Sequence, residues 1–307
     1  MTEENKKSTR CGMVSIVGRP NVGKSTLLNT ILEQKVAIVS PVPQTTRHQI
    51  RGIYNDERGQ VVFIDTPGVH IGHDQLDKYL NHSSIGTLDG ADCVIYLVDV
   101  TRRIGEEEET VAQKVKEVRC PVILGLNKVD MKPEHLPEYI AFWEKVKGMP
   151  VTEMKNFTMV SLSGKEGLNI DVLLNVVFDY LPEGPLLYPD DILSDAPQRM
   201  VLADIIREKL FLLMRKEIPH SLGVAIEQIE HRKKITHIKA LIYVERESQK
   251  EIVIGRKGDV LKTIGTQARL ELEELLETKV FLELHVKVQE HWRDDFSFLQ
   301  DAGYQLE

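Results

Sequence analysis

Gly18-Arg-Pro-Asn-Val-Gly-Lys-Ser25 is the stretch of this 307-residue chain that decides its fold, because it matches the phosphate-loop pattern G-x-x-x-x-G-K-S. It follows the apolar run MVSIV, a predicted strand, and opens a predicted helix with an apolar face across residues 27–32. In that context the loop N–H groups and the helix N-terminus converge on one point, which suits phosphate oxygens. A chance match on an unrelated glycine-rich turn is the alternative, and the later motifs weigh against it.

Short apolar runs alternate with amphipathic stretches from Met13 to about Tyr180. The clearest predicted strands, MVSIV, VVFID, CVIYLVD and VILGLN, are apolar on both faces, as strands covered by helices on each side are. This alternation is typical of parallel strands joined by crossover helices. We therefore predict that residues 1–180 form an α/β P-loop domain, with a mostly parallel sheet and helices on both faces.

A change of composition ends this domain. Residues 181–197 read LPEGPLLYPDDILSDAP, and their four prolines exclude a continuous helix, which indicates an extended linker. Beyond the linker the pattern becomes helix, strand, strand, short turn, helix and strand, and the first helix is predicted from an apolar stripe that runs from Leu202 to Leu213. We predict that residues 198–307 form a smaller α+β domain with a C-terminal tail.

Two motifs complete the phosphate end of the predicted site. Lys24 should reach the β- and γ-phosphates, and the Ser25 hydroxyl should ligate Mg²⁺. Asp65-Thr-Pro-Gly68 ends the strand VVFID, where the carboxylate would reach the Mg²⁺ shell and the Gly68 N–H would face the γ-phosphate. A plain strand-ending turn is the alternative for this second motif.

The polar loop PQTTRH holds two adjacent threonines, Thr45 and Thr46. A loop threonine that joins Mg²⁺ only when the γ-phosphate is present is how GTPases make a switch. We expect Thr46 to be that ligand and Thr45 to be its neighbour, and an ordinary solvated loop threonine is the alternative.

Asn127-Lys-Val-Asp130 follows the strand VILGL, as the base-reading motif of GTPases does. By resemblance to that superfamily, Asp130 accepts from guanine N1 and the 2-amino group, Asn127 braces the loop, and Lys128 packs over the base. Adenine has no matching donors, and a buried acceptor without a donor is costly. Ser161-Leu-Ser163 stands where the fifth motif supports the base, although most relatives carry Ser-Ala there.

Together these motifs predict a site for GTP or GDP with Mg²⁺. The residues expected to bind the nucleotide are Gly18, Arg19, Pro20, Asn21, Val22, Gly23, Lys24, Ser25, Thr26, Asp65, Thr66, Pro67, Gly68, Asn127, Lys128, Asp130, Ser161 and Leu162. The residues expected to act in catalysis are Lys24, Asn21, Thr46, Asp65 and Gly68, and those expected to hold the metal are Ser25, Thr46 and Asp65.

Val69 occupies the position where Ras-like enzymes carry the glutamine that orients the attacking water, so we expect slow intrinsic hydrolysis. With Asn21 and the Thr45-Thr46 pair, this valine resembles GTPases in which a bound K⁺ supplies the charge that an arginine finger otherwise supplies. The alternative for Asn21 is a simple turn residue.

Other polar clusters in this half have ordinary explanations. His70 and His73 could suggest a base or a metal pair, but such spacing in a loop is common, and solvated histidines are the better interpretation. The run Glu106–Glu109 opens a predicted helix, where acidic side chains favour the positive end of the helix dipole, so we expect a solvated cap.

Composition limits the compartment and the partners. The first twelve residues are polar with no apolar h-region after them, no run is long enough to cross a bilayer, and the three cysteines form no CxxC pair, so a cytoplasmic protein with reduced thiols is expected. The net charge of −8 argues against non-specific coating of nucleic acid. Residues 231–262 are locally basic, however, with nine basic and four acidic residues, which gives +5.

Ile254-Gly-Arg-Lys-Gly258 is a GxxG loop inside this basic window. In this order of elements it looks like a type II KH domain, whose loop clamps the backbone of single-stranded RNA. Gly255 and Gly258 would permit close approach of the backbone, and Arg256 and Lys257 would meet phosphates. The alternative is a small α+β domain with a glycine at a helix start and solvated lysines.

The combination of motifs resembles the Era family of bacterial ribosome-assembly GTPases over roughly residues 13–304. The segments that carry the resemblance are GRPNVGKS, QTTRH, DTPGVH, NKVD, YPDDILSD, ADIIREKL and LELHVKVQEHWRDD. The resemblance implies a GTPase domain of the TrmE-Era-EngA type followed by a type II KH domain. It also implies binding to the 3′ end of 16S ribosomal RNA during assembly of the 30S subunit, and peripheral attachment to the cytoplasmic face of the inner membrane.

Two other functions remain as alternatives at this point. One is a nucleotide-gated adaptor at the membrane or on a protein partner, in which hydrolysis is incidental. The other is a GTPase subunit of a tRNA-modifying enzyme, which would explain the phosphate loop and the switch but not the KH-like half. The sequence identifies no protein partner, and we expect a monomer.

The base-reading motif makes a testable prediction. Asp130→Asn should weaken GTP binding and favour xanthosine triphosphate, because the extra carbonyl of xanthine needs a donor where guanine needs an acceptor. Titration of the purified variant with both nucleotides checks this, and an unchanged affinity for GTP would refute the assignment of Asp130.

Overall fold

The structure is a computed structural model, and it describes residues 9–68, 72, 74–214, 218–301 and 304, without the side chains of residues 297 and 301. The expectations for Val69, His70 and His73 fall outside the described residues.

Within the described residues, six strands form the first sheet. They are β1 Arg10–Val17, β2 Ile50–Asp56, β3 Gly59–Asp65, β4 Cys93–Asp99, β5 Val122–Asn127 and β6 Phe157–Leu162. Their order is β2-β3-β1-β4-β5-β6, and β2 is antiparallel to β3 while the other pairs are parallel. Every residue of β3, β4 and β5 is buried, as the apolar runs of these strands predicted.

Helices cover both faces of this sheet. Those described are α1 Lys24–Leu32, α2 Gln75–Gly86, α3 Glu106–Lys116, α4 Leu136–Lys147 and α5 Ile170–Tyr180. The apolar residues of α1 and α5 pack in one core cluster, and those of α3 and α4 pack in another. The predicted α/β fold, with a mostly parallel sheet between two helical layers, is therefore confirmed.

The C-terminal sheet is smaller. Its strands are β7 Gly223–Arg232, β8 Ile235–Val244 and β9 Lys279–Val288, and the helices around it are α6 Gln198–Leu213, α7 Glu247–Ile254, α8 Asp259–Leu275 and α9 Phe296–Asp301. Strand β8 is antiparallel to β7 and parallel to β9. The α+β prediction is confirmed, and the segment expected to be a short turn forms helix α7.

The chain divides into two compact units. The first unit is Met1–Ala37, Thr46–Ile71 and Leu80–Asp195, and the second unit is Ile38–Thr45, Gly72–Tyr79 and Ala196–Glu307. The units thus differ from the predicted domains, because residues 181–195 of the expected linker group with the first unit and two short segments of the N-terminal half group with the second.

Helix α6 departs from its predicted pattern. Leu202 and Leu210 are buried as expected, but Leu213, at the end of the predicted stripe, is 36% exposed. Polar residues of the same helix are buried, namely Asp204, Arg207 and Glu208. The reason is that segment 38–45 packs with α6 in the second unit, so the helix is covered on a face that would otherwise be solvated.

Candidate nucleotide site and nucleic-acid groove

The phosphate loop connects β1 to α1, so it lies at the carboxyl end of a parallel strand, where α/β sheets place their ligands. Lys24 is buried, and its Nζ donates to the carbonyl oxygens of Gly18 at 3.0 Å and Arg19 at 3.2 Å. Burial lowers the pKa of Lys24 to about 8, against the opposing effect of Asp65. A bound triphosphate would bring negative charge to this ammonium and stabilise its charged form.

Three oxygen donors predicted to hold the metal converge. The Ser25 Oγ lies 2.6 Å from Asp65 Oδ2 and 2.8 Å from Thr46 Oγ1, and the Thr46 Oγ1 lies 3.4 Å from the same carboxylate oxygen. The other oxygen of Asp65 is buried and accepts no hydrogen bond from the described residues. Burial raises the pKa of Asp65 to about 6, and Lys24 opposes that shift. Two hydroxyls beside a carboxylate fit Mg²⁺, which prefers oxygen ligands.

The two threonines of the polar loop point to different partners. The Thr46 hydroxyl joins Ser25 and Asp65, whereas the Thr45 hydroxyl donates to the carbonyl of Val42 at 2.6 Å and lies 2.6 Å from the Ser40 hydroxyl. Thr46 is thus the threonine that this structure brings to the predicted metal ligands.

Asn127, the last residue of β5, joins the loops that follow β1 and β6. Its Nδ2 donates to the carbonyl of Val22 in the phosphate loop at 2.7 Å, and its Oδ1 accepts from the N–H of Gly164 at 2.9 Å. Gly23 has a φ of +104°, and a Cβ there would lie 2.6 Å from Asn127 Nδ2, so only glycine allows this approach. Lys128 adds a second tie, because its Nζ donates to the carbonyl of Asn21 at 2.9 Å.

The remaining nucleotide residues occupy the same edge of the sheet. Asp130 and Ser161 are exposed, and Leu162 is buried. Gly68 packs closely on the phosphate loop, because a Cβ there would lie 2.8 Å from the Cα of Pro20. Three other predicted residues make hydrogen bonds within the fold. The Thr66 hydroxyl donates to the Ile16 carbonyl. The carbonyls of Pro67 and Thr26 accept from the hydroxyls of Ser84 and Thr30, respectively.

A buried ion pair behind the loop was missed by sequence analysis. Arg19 pairs with Glu108 of α3 at 3.1 Å, and Tyr96 and Tyr139 donate hydroxyl hydrogen bonds to the same carboxylate. Glu108 has no exposed surface, so the expectation of a solvated cap is wrong for this residue of the run Glu106–Glu109. Burial raises the pKa of Glu108, against the opposing hydrogen bond of Tyr96. Periodicity could have signalled it, since Glu108 lies three residues before the buried Val111.

The GxxG loop joins α7 to α8 through a tight turn. Gly255 and Gly258 have φ values of +74° and +80°, and a Cβ on Gly258 would meet no atom within 4 Å. Arg256 and Lys257 are exposed and form no ion pair with any described residue. The turn therefore presents two cations on a backbone that is open to close approach.

A groove of about 410 Å³ runs from Gly258 between α8 and β9. Its lining combines apolar and polar residues, namely Leu261, Lys262, Gly265, Thr266, Arg269, Leu282 and Leu284. Several cations of the basic window are neutralised by partners just outside it or within it, since Arg232, Lys239 and Lys250 pair with glutamates. Of the cations for which no ion pair is described, Arg256 and Lys257 lie on the GxxG loop and Lys262 lines the groove.

Comparison with known proteins assigns both halves of the chain. A family model described as 50S ribosome-binding GTPase matches residues 13–128, and a KH-domain model matches residues 217–293. The chain is 42% identical to the GTPase Era of Halothermothrix orenii, over 97% of this chain and 99% of that protein. It is 45% identical to the GTPase Era of Geotalea daltonii, over 99% of this chain and 100% of that protein.

Two solved structures are similar along nearly the whole chain. One is a crystal structure of Era in complex with MgGDPNP and nucleotides 1506–1542 of 16S ribosomal RNA, with a TM-score of 0.91. The other is a variant of Aquifex aeolicus Era bound to GDP and AlF₄⁻, with a TM-score of 0.90. Each is 37% identical to this chain, and each match covers 97% of this chain and 100% of the other.

Proposed function

The chain belongs to the family of the GTPase Era and is therefore a GTPase, and we propose that it couples GTP hydrolysis to binding of the 3′ end of 16S ribosomal RNA. One observation carries this proposal. The three oxygen donors expected to hold the metal, Ser25, Thr46 and Asp65, converge in one unit, and in the other a GxxG turn whose cations pair with no described residue lies beside a groove.

We propose the following roles for the nucleotide site. The phosphate loop surrounds the β- and γ-phosphates with N–H groups, and Lys24 moves from the loop carbonyls to these phosphates. Ser25, Thr46 and Asp65 would hold Mg²⁺, which neutralises charge on the phosphates when it is bound. The exposed carboxylate of Asp130 is free to accept from guanine, on a loop that Asn127 fixes to the phosphate loop.

Hydrolysis at this site needs an in-line water and stabilisation of charge on the transferring phosphoryl group. The close packing of Gly68 on Pro20 supports a position for its N–H beside the γ-phosphate. We assign Asp65 to the metal, because its Oδ2 lies beside the hydroxyls of Ser25 and Thr46. The reaction converts GTP and water to GDP and phosphate. Its rate then depends on how the site positions the water and stabilises negative charge on the phosphoryl group.

The second unit offers the features of a KH domain for single-stranded RNA. Its GxxG turn can approach a phosphate backbone, and unstacked bases can lie along the apolar lining of the groove. The matched family model is described as a 50S ribosome-binding GTPase, and this description names no RNA for this chain. The RNA in the similar Era complex belongs to 16S ribosomal RNA. We therefore propose the 30S subunit in assembly as the setting.

We propose that the protein is a cytoplasmic monomer with peripheral contact to the inner membrane. No helix among the described residues is long and apolar enough to cross a bilayer. The adaptor function, in which a membrane or a protein is the main ligand, has no observation in its favour.

Potassium activation is a finer part of the proposal. Asn21 adopts a left-handed backbone with φ of +62°, which also suits an ordinary turn residue, so the side chain must be tested directly. We predict that hydrolysis is faster in K⁺ than in Na⁺ by roughly tenfold or more, the effect of about 1.4 kcal/mol on the barrier. Asn21→Gly suits the backbone and should abolish this difference while GDP affinity stays near wild type. Equal rates of the wild type in both salts would rule out potassium activation.

The RNA site is tested by a matched pair of variants at Gly258. Gly258→Asp and Gly258→Asn add side chains of the same shape, and both residues tolerate a positive φ, but only the first adds charge. A Cβ here meets no atom of the described residues within 4 Å, and both variants carry the same backbone strain at a φ of +80°, so the strain cancels when the two are compared. Gly258→Asp should weaken binding of the 3′ end of 16S ribosomal RNA by more than about tenfold, since like charges across an interface cost several kcal/mol, and Gly258→Asn should lose less.

Filter binding across a salt series, beside a GTP titration, separates the outcomes of this test. Arg256→Ala with Lys257→Ala should weaken all single-stranded RNAs similarly and flatten the salt dependence, because phosphate contacts position without specifying sequence. GTP affinity should remain unchanged in all these proteins. Wild-type RNA affinity in the Gly258→Asp protein would mean that the RNA binds elsewhere.

A further inference from the structure

Helix α6 of the second unit carries a cluster of buried polar groups that the proposed RNA site does not use. The side chains that form it are no more than 5% exposed, and they are Asp204, Arg207 and Glu208. Charged side chains are normally exposed to water unless they are paired. Burial of charge is unfavourable unless the groups are paired and hydrogen-bonded. The partners of this cluster therefore indicate what it does.

Arg207 holds the backbone of the 38–45 segment at its end. Its Nη2 donates to the carbonyl oxygen of Thr45 at 3.0 Å, and the same atom lies 2.8 Å from Asp204 Oδ1, one helical turn earlier. Both side chains are removed from solvent, so a charge-assisted hydrogen bond to the carbonyl is stronger than it would be in water.

Glu208 holds the other end of the same segment. It accepts from the N–H of Val39 at 3.0 Å, and between these two ties Val42 packs on the apolar core of the second unit. Lys209 bridges Glu208 to Glu271 of α8, the helix that lines the RNA groove. The segment is thus fixed at both ends by α6, and α6 is joined by an ion-pair network to the RNA-binding helix.

The carbonyl held by Arg207 belongs to the peptide that begins Thr46. Because that peptide is planar, fixing the oxygen of Thr45 also fixes the orientation of the Thr46 N–H and restricts where its Cα can go. The Thr46 hydroxyl is the oxygen that meets Ser25 and Asp65 in the nucleotide site. Arg207 therefore holds the peptide group that directly precedes Thr46, the threonine expected to ligate the metal.

We propose that Arg207 is a positioning residue for the nucleotide site, one that holds Thr46 where it can engage a γ-phosphate-bearing nucleotide. The inference rests on the proposed function, in particular on Thr46 as the threonine that responds to the γ-phosphate. It predicts that loss of Arg207 weakens binding of GDPNP, which has a γ-phosphate, and leaves binding of GDP unchanged. A purely structural residue would not discriminate between these two nucleotides.

The test compares GDPNP and GDP affinities of the full chain by titration. Arg207→Lys keeps a charge beside Asp204 but lacks the planar fork that serves two acceptors. The double variant Asp204→Asn with Arg207→Met removes both charges of this ion pair together, so neither member of the pair stays behind as an uncompensated charge. Arg199→Met is the matched control, because this arginine of α6 donates to the Ile226 carbonyl and not to segment 38–45.

We expect GDPNP affinity to fall roughly tenfold in the double variant, because about one charge-assisted hydrogen bond is lost. The affinity of Arg207→Lys for GDPNP should fall less. GDP affinity and the control should match wild type. Thr46→Ala, measured alongside, tests the proposed function separately and should also weaken GDPNP alone. If Thr46→Ala weakens GDPNP while both Arg207 variants bind it as wild type does, the positioning role of Arg207 is wrong. If Thr46→Ala has no effect, the proposed metal site itself is wrong.

Discussion

The amide of Asn127 is the interaction on which the nucleotide site depends, because it joins the ends of strands that are far apart in sequence. One of its atoms binds the phosphate loop after β1 and the other binds the loop after β6, while the residue itself ends β5. A phosphate loop is a strained arrangement of N–H groups that repel one another without an anion. The Asn127 amide makes one hydrogen bond of 2.7 Å to the phosphate loop and one of 2.9 Å to the loop after β6. These two bonds hold the base-binding and phosphate-binding loops in a fixed relative position.

The second constraint is that the chain crosses between two compact units several times. It leaves the first unit after Ala37 and returns at Thr46, so the residue that meets Ser25 and Asp65 directly follows a segment held by the RNA-binding half. Any change in Thr46 must therefore be accommodated by the bonds of Val39 and Thr45 to α6. This covalent arrangement gives a physical basis for linkage between nucleotide and RNA, because an element that two ligands both restrain couples their binding free energies.

Sequence patterns predicted the features that depend on local order. Both folds were confirmed from apolar periodicity and strand-ending motifs, because side-chain period and turn chemistry are local properties. The buried states of Glu108 and Arg207 were not predicted, because burial of a charge depends on a partner that only tertiary structure supplies, here Arg19 for the first and Asp204 with the Thr45 carbonyl for the second. Leu213, expected at the end of the buried stripe, is 36% exposed and is the last residue of α6.

If the γ-phosphate and the RNA both restrain segment 38–46, the affinities for nucleotide and for RNA must be linked. The affinity of the full chain for the 3′ end of 16S ribosomal RNA is measured with saturating GDPNP and with saturating GDP, and the affinity for each nucleotide is measured with and without saturating RNA. We expect the nucleotide to change RNA affinity, and RNA to change the GDPNP-to-GDP affinity ratio by the same factor, since coupling is reciprocal. RNA affinity that is identical in both nucleotide states, with an unchanged nucleotide ratio, would contradict it.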